Sequence, residues 1–310
     1  MAEAEALASI EDFAEVAAGP ERGLWSDAFR RLIRNRLAMA GLIVLSVLAV
    51  LAIAGNTIDW VQRYDPTFQD YSVVKTGPSW DHFFGTDNLG RDNWARVLEG
   101  LLISLQVGFG VQAVVVTIGI LVGGTAALTG RLGDNILMRL TDLTYAFPDL
   151  LFIILMRSVL FGRDWPIIGN ERILVIFAIS FVSWTTVARL VRGQMLSLAE
   201  RDYVIAARAL GSTRVRVVFQ HMLPNTLSPV IVAVTFGIPI AIFAEAVLAF
   251  IGFGLPPPTA SLGTLVNTGY QYIIETEWML VFPACAIALL MLCFTFIGDG
   301  LRDALDPRWR

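Results

Sequence analysis

The stretch GLLISLQVGFGVQAVVVTIGILVGGTAALTG, residues Gly100–Gly130, contains no charged residue. A helix needs about 20 mostly apolar residues to cross the hydrocarbon core of a bilayer, and this stretch is longer than that. Two other uncharged stretches, Leu37–Ile58 and Trp278–Gly298, are also long enough to cross. The sequence therefore predicts a protein that spans a membrane through helices.

Three weaker stretches complete a predicted set of six spans. One runs from Leu140 to about Phe161 and is expected to be kinked near Pro148, whose nitrogen has no hydrogen to donate. The next covers Ile173 to about Val191, and the fifth begins after Pro224 and continues to about residue 253. We therefore predict an all-α, polytopic membrane protein with six transmembrane helices.

The composition supports this prediction and excludes several function classes. The chain is 55% hydrophobic and 16% charged, whereas soluble domains carry about 25% charged residues. With a net charge of −4 we expect no nucleic-acid partner. Two cysteines and two histidines are too few for a disulfide framework or a histidine-rich metal site. The single lysine, Lys75, follows Val74 rather than glycine, so the chain has no P-loop for ATP.

The distribution of positive charge predicts the orientation. If six spans alternate, most of the 23 Lys and Arg residues fall on the side that also holds both termini. Short loops rich in Lys and Arg normally stay in the cytoplasm. The loop between the fifth and sixth spans, Gly254–Glu277, contains neither residue. We therefore expect both termini to be cytoplasmic.

The chain is expected to divide into four parts. Residues 1–21 form an acidic leader, expected to be flexible and without an evident signal-peptide cleavage site. Residues 22–99 hold an amphipathic helix at the inner interface, the first span and an outer segment. Residues 100–300 form a five-helix core with a cytoplasmic loop at about 197–224. Residues 301–310 form a cytoplasmic tail.

The loop between the fourth and fifth spans contains two helical patterns. Gly211 is expected to end the first helix, and Ser212 or Thr213 can cap the second, which Pro224 is expected to end. These patterns fit either an amphipathic loop packed on the membrane surface or a docking helix that seats in another protein. The residues that share a face are Tyr203, Ala206, Ala207 and Leu210 in the first pattern, and Val215, Val218, Phe219 and Met222 in the second.

This loop resembles the EAA loop of ABC importer permeases, which reads E-A-A, three residues, G, nine residues, I-x-L-P. The matching residues are Ile205-Ala-Ala-Arg-Ala-Leu-Gly211 and, after nine residues, His221-Met-Leu-Pro224. Ile205 replaces the glutamate and His221 replaces the isoleucine. Both replacements suit one branch, the dipeptide/oligopeptide/nickel permease family, in which Y-V-x-A-A-R-x-L-G and R/Q-H-x-L-P-N are usual.

Three other motifs resemble the C-type permease of that family. They are Phe84-Gly-Thr-Asp-Asn-Leu-Gly-Arg-Asp92, the stretch from Glu245 to Pro258 with Ala249 in place of a serine, and Gly298-Asp-Gly-Leu-Arg-Asp-Ala-Leu-Asp-Pro307. Together with the loop, the resemblance covers roughly residues 24–310. It implies the transmembrane domain of a type I ABC importer, which is MetI-like.

The resemblance also implies a function and partners. The chain would be a permease subunit of an ATP-driven importer in a prokaryotic cell membrane, forming half of the pathway for di- or oligopeptides. Nickel or another small solute is the alternative cargo. The implied partners are a homologous B-type permease, two cytoplasmic P-loop ATPases that hold ATP and Mg²⁺, an extracytoplasmic substrate-binding protein and the lipid bilayer. This chain would not be an enzyme by itself and would bind no cofactor or metal.

In such importers the EAA loop is a coupling helix that inserts into a cleft of the ATPase. Carried over by position, the contact residues would be Ala206, Ala207, Arg208 and Gly211, while Tyr203 and Leu210 would fix the helix. In Phe84–Asp92, Thr86 or Asp87 is expected to cap the helix that leads into the second span.

Glu245 is a charge inside the fifth predicted span, and such charges are functional candidates by default. It can face the transport pathway or gate it, or it can brace a neighbouring helix. We expect no catalytic residue in the chain.

Other function classes compete with an importer subunit. A secondary transporter driven by an ion gradient commonly shows internal repeats, and we find none in this sequence. An intramembrane metalloprotease would need H-E-x-x-H, which is absent, and His82 and His221 are predicted on opposite sides of the membrane. A pure scaffold subunit stays open at this point.

Overall fold

The structure is a computed structural model that describes residues 24–160 and 170–305. Within these two ranges the regular elements are helices, apart from an isolated bridge between Thr86 and Asp92. The predictions for the leader, 1–21, and for residues 306–310 of the tail lie outside the described residues.

Ten helices are labelled here, and single turns at Asp59–Gln62 and Tyr71–Val73 lie in the segment before α3. They are α1 Leu24–Arg34, α2 Arg36–Gly55, α3 Asn93–Leu128, α4 Gly130–Tyr145, α5 Asp149–Leu160, α6 Glu171–Ala199, α7 Asp202–Ala209, α8 Arg214–Phe253, α9 Leu262–Gln271 and α10 Trp278–Leu305.

Five of these helices, α2, α3, α6, α8 and α10, are long and apolar enough to cross a membrane. The remaining predicted span, the third along the chain at Leu140–Phe161, is not a straight helix. Helices α4 and α5 meet there at an 84° bend, and together they can count as one broken span. The break includes Pro148, as predicted, because a proline disfavours helical geometry in the residue before it.

Helices α3 and α6 form the centre of the bundle, and small residues let their backbones approach. A Cβ on Gly119 would lie 2.6 Å from Cγ1 of Val187, and one on Gly123 would overlap the carbonyl oxygen of Ala188. Glycines four residues apart are a common way to pack membrane helices closely. Apolar side chains fill the space on both sides of this contact, and α2 lies at the edge of the bundle against α10.

The bundle has two ends that carry different structures. At one end, called the cap end here, the segment 56–92 and helix α9 cover the helices. Nε1 of Trp278 donates a hydrogen bond to the carbonyl oxygen of Thr86 at 3.4 Å, and Lys75 forms an ion pair with Glu275. At the other end, called the coupling end, lie α1, the turn between α3 and α4, and α7.

The predicted cap of α3 is wrong. The Asp92 carboxylate, rather than the side chain of Thr86 or Asp87, accepts a hydrogen bond from the backbone N–H of Ala95 at 2.9 Å. Asp92 immediately precedes the first helical residue, which places its carboxylate in reach of that N–H.

Pro224 does not end the helix that begins at Arg214, as the sequence predicts. The chain continues in helical form past the proline as far as Gly252, where φ is +88°, because a π-helical turn at Val218–Met222 precedes the proline. Such a turn shifts the hydrogen-bond partner from the fourth to the fifth preceding residue. The cap predicted for this helix is confirmed at Thr213, whose hydroxyl accepts from the N–H of Arg216.

Candidate functional site

Helix α7 is a short helix at the coupling end that stops at a left-handed glycine. Gly211 has φ = +86°, and its N–H donates to the carbonyl of Arg208 at 3.0 Å. The N–H of Ser212 donates to the carbonyl of Ala207 at 3.1 Å. These two bonds form a Schellman motif, in which a residue with positive φ closes the helix. Nothing lies within 4 Å of the position of a Cβ on Gly211, so backbone strain alone opposes a side chain there.

The structure places most of the predicted contact residues at the surface. Ala206 and Arg208 are exposed, and Ala207 is half-buried against the core. Leu210 is 88% exposed. An apolar side chain that stays in water gains no free energy from burial. In the following text, Tyr203, Ala206, Arg208, Leu210 and Gly211 are called the coupling surface.

Tyr203 and Leu210 do not fix α7 against the rest of this chain, contrary to the prediction. Tyr203 is 43% exposed, with its ring 6.5 Å from that of His221. The anchor is Val204, which is fully buried in the main hydrophobic core. Sequence reasoning missed Val204 because its apolar spacing reaches only Ala207, whereas Tyr203, Ala206, Ala207 and Leu210 form the longer repeat.

The second half of the loop is held by a different set of side chains than predicted. Val218 and Met222 are buried, as the repeat indicates, and so is Val217. Val215 and Phe219 belong to the same repeat but are 59% and 63% exposed. The π turn rotates the helix after Val217, which changes the face that meets the core.

Ion pairs attach α4 to α6 close to the coupling end. Arg192 binds both carboxylate oxygens of Asp134, and Nη2 of Arg189 lies 2.8 Å from Oδ1 of Asp142. The Arg189 guanidinium also covers the ring of Tyr145 at 4.6 Å. Only two residues separate the end of α6 from the start of α7. These ion pairs therefore connect the broken span to the helix that leads into the coupling surface.

Glu245 lies in α8 toward the cap end and is 1% exposed. Its Oε2 accepts a hydrogen bond from the hydroxyl of Ser104 on α3 at 3.4 Å, which is long for an O–H···O bond. A carboxylate inside an apolar helix is costly to bury. Its contact with α3 suits a brace between two central helices, and its position one turn before Ala249 puts it below a cavity at the cap end.

At the cap end, the stretch Phe84–Asp92 folds around the buried carboxylate of Asp87. This carboxylate accepts hydrogen bonds from the N–H of Leu89 at 2.8 Å and from Nε of Arg91 at 2.7 Å, and it also binds Arg96. Gly90 has φ = +74°, and a Cβ there would collide with the carbonyl of Asp70. The motif therefore builds a rigid loop around Asp87, and its last residue, Asp92, caps α3.

Within the described ranges, no three His, Cys, Asp or Glu side chains lie together in a way that could hold a metal ion. The candidate functional groups are instead the exposed coupling surface, the buried Glu245 and the arginines at the cap end.

Comparison with known proteins assigns a family to this architecture. Residues 115–310 match the family described as binding-protein-dependent transport system inner membrane component. Residues 23–78 match the N-terminal transmembrane domain of oligopeptide transport permease C. Together the two matches cover α1, α2 and the bundle from the middle of α3 onward.

Two curated relatives from Bacillus subtilis (strain 168) are similar over nearly their full length. The oligopeptide transport system permease protein OppC is 38% identical over 93% of this chain and 90% of its own. The dipeptide transport system permease protein DppC is 40% identical over 94% of this chain and 88% of its own.

The fold is also found in a solved structure, the inward-facing methionine ABC transporter MetNI. The similarity has a TM-score of 0.54 at 20% identity and covers 68% of this chain and 96% of the other. This supports the predicted type I importer architecture of the transmembrane domain. Taken with the curated relatives, it shows that the chain belongs to the binding-protein-dependent transport system inner membrane components and is a permease subunit of an ABC importer.

Proposed function

We propose that this permease subunit forms half of the translocation pathway of an importer for di- and oligopeptides. The curated relatives that support this cargo are named as oligopeptide and dipeptide permeases and are similar over about nine-tenths of the chain. In this proposal the protein lies in a prokaryotic cell membrane with both termini in the cytoplasm. The coupling end then faces the cytoplasm and the cap end faces the outside.

The observation that carries the coupling role is the exposure of α7. The helix is anchored by Val204, while Leu210 extends from its end into open space at 88% exposure. Ala206 and Ala207 keep its side slim, and Arg208 adds a positive edge. A slim helix with an exposed apolar tip fits a groove in a partner protein. That partner is a P-loop ATPase, which holds ATP and Mg²⁺, so this chain would be non-catalytic and free of cofactors.

The other partners follow from the same assembly. A homologous B-type permease would complete the pathway, a second ATPase would serve that subunit, and an extracytoplasmic binding protein would deliver the cargo at the cap end. Residues 22–99 would then be an addition to a five-helix core at residues 100–300, and the core would contact these partners.

The first test is to purify the tagged chain in mild detergent and identify the proteins that come with it by mass spectrometry. We expect a second permease and one or two P-loop ATPases. A chain recovered alone or as a homodimer, with uptake driven by an ion gradient, would overturn the proposal.

Leu210→Asp is expected to lower recovery of the ATPases roughly tenfold while the second permease still co-purifies. The aspartate replaces an apolar contact in the groove by a desolvated charge. Asn135→Asp, which adds the same charge on exposed α4 at the same end, is the matched control and should leave recovery unchanged. Equal ATPase recovery with both variants would contradict the role of the coupling surface.

Glu245→Gln is expected to lower peptide transport several-fold while ATPase association stays normal. The amide keeps the size of the side chain and a partner for Ser104, so the change isolates the charge. Uptake into proteoliposomes measures transport, and co-purification measures association. Ser104→Ala removes only the long hydrogen bond and should have the smaller effect. Unchanged transport and unchanged thermal stability would leave Glu245 without a role in gating or bracing.

A further inference from the structure

A cavity of about 330 Å³ opens at the cap end, where the start of α3, the end of α5, the end of α8 and helix α9 meet. Three arginines line it, Arg91, Arg96 and Arg157, and none of its described lining residues is Asp or Glu. Cavities of this size are at the small end of ligand pockets. The cavity therefore concentrates positive charge in an enclosed volume.

Carboxylates near the cavity wall match much of this charge, since Glu99 and Glu245 interact electrostatically with Arg96 and Arg157. Arg91 and Arg96 share one carboxylate, that of Asp87. Arg96 is 4% exposed, and its Nε has no hydrogen-bond partner among the described residues. A guanidinium has five N–H donors, and a buried donor without a partner costs free energy. Arg96 therefore offers one buried donor to an acceptor from a ligand.

The remaining walls of the cavity consist of threonine side chains, Asn267 and apolar surface. The carbonyls at the end of α8 are already covered, because Asn267 donates to Ala249 at 3.4 Å and Arg157 donates to Phe253. Leu255 and Pro256 add an apolar wall beside them. Planar anions with an apolar attachment fit such a lining.

We propose that this cavity binds the C-terminal carboxylate of a peptide. A carboxylate supplies two acceptor oxygens in the geometry that guanidinium groups bind best, and the apolar wall takes the side chain of the last residue. All peptides with a free C-terminus share this group, so the cavity recognises cargo without reading its sequence. The proposal rests on the proposed peptide import and adds the chemical group that the permease itself contacts.

The test uses the whole complex in proteoliposomes with its binding protein and compares uptake of one peptide as the free acid and as the C-terminal amide. The ratio of the two uptake rates is measured for wild type and variants, because any preference of the binding protein then cancels. Arg157→Gln is expected to lower the acid-to-amide ratio roughly tenfold, since a hydrogen bond to a charged group is lost. Arg157→Lys should give a smaller change. Lys75→Gln removes a cap-end charge that does not line the cavity and should leave the ratio unchanged.

The outcomes separate this proposal from the proposed function. If wild type takes up neither peptide form, peptide import itself is wrong. If wild type imports peptide but Arg157→Gln leaves the ratio unchanged, the carboxylate site alone is wrong. An equal loss for both forms would also overturn the site, because it indicates docking of the binding protein or loss of structure.

A second measurement needs no variant. Wild-type complex is irradiated with a peptide that carries a photoreactive residue at its C-terminus, and the labelled residues are mapped by mass spectrometry. We expect labelling within 255–268, and little labelling there by the same group placed at the N-terminus. No label in this range, or equal label from both positions, would contradict the proposal.

Discussion

Gly211→Val is expected to reduce peptide transport roughly tenfold while ATP hydrolysis continues and the chain still inserts and assembles. The residue has φ = +86°, and a β-branched side chain in the left-handed region costs about 1–2 kcal/mol. That cost falls on the Schellman motif that ends α7, so the end of the coupling surface loses its fixed shape. ATP turnover and uptake in the same proteoliposomes give the coupling ratio.

Two variants control for strain itself. Gly130 also has positive φ, +71°, with nothing within 4 Å of a Cβ, and it lies at the same end of the bundle. Gly130→Val therefore introduces similar strain outside the coupling surface and should keep most of the coupling. Gly211→Asn should retain more transport than Gly211→Val, because asparagine tolerates positive φ. Normal transport with Gly211→Val would count against the coupling role of α7.

Asp87→Ala is expected to destabilise the cap end by about 3–5 kcal/mol, because removing one partner of a buried ion pair leaves an uncompensated charge. Two arginines, Arg91 and Arg96, form ion pairs with this carboxylate, and all three side chains are buried. The expected result is a lower Tm of the purified complex and faster proteolysis within residues 56–92.

Asp65→Ala is the matched control for this change. Asp65 lies in the same segment but is exposed and bonded to its neighbour Thr67, so the expected loss is below about 1 kcal/mol. If Asp87→Ala and Asp65→Ala shift Tm equally, the carboxylate does not hold the cap end together.

The spans could be predicted from the sequence because length and hydropathy are properties of one stretch at a time. All but the last two residues of Gly100–Gly130 fall inside α3, and Trp278–Gly298 falls inside α10. The break near Pro148 could also be predicted, since a missing N–H is a local fact. The angle of the break could not, because it depends on how α4 packs against α6 through Arg189 and Arg192.

The loop at about 197–224 shows where prediction from the apolar pattern fails. An apolar repeat marks residues that avoid water, but it does not distinguish contact with this chain from contact with a partner. Leu210 therefore carried the same signal as a core residue, although it is among the most exposed leucines of the described ranges. The sequence predicts a helix end at Pro224 because the π turn before it does not alter the apolar spacing.

The contacts at the cap end could not be predicted from the sequence, for a different reason. Asp87 and Asp92 are both acidic residues just before a helix, and either can cap it. The choice is made by Arg96, which lies inside α3 and draws Asp87 into the cluster. A contact across nine residues and a turn has no local signature, and the arginine-lined cavity beside it depends on α5, α8 and α9 meeting in space.

The continuity of α8 has a mechanical consequence. Because no loop separates Arg214 from Glu245, the segment beside the coupling surface and the buried glutamate belong to one continuous helix, about 45 Å apart at about 1.5 Å per residue. If this helix tilts as a unit about its middle, a tilt of about 5° moves each end by about 2 Å in opposite directions. A displacement of the helix at one membrane surface thus produces an opposite displacement at the other surface, and no chain of side-chain contacts between them is needed.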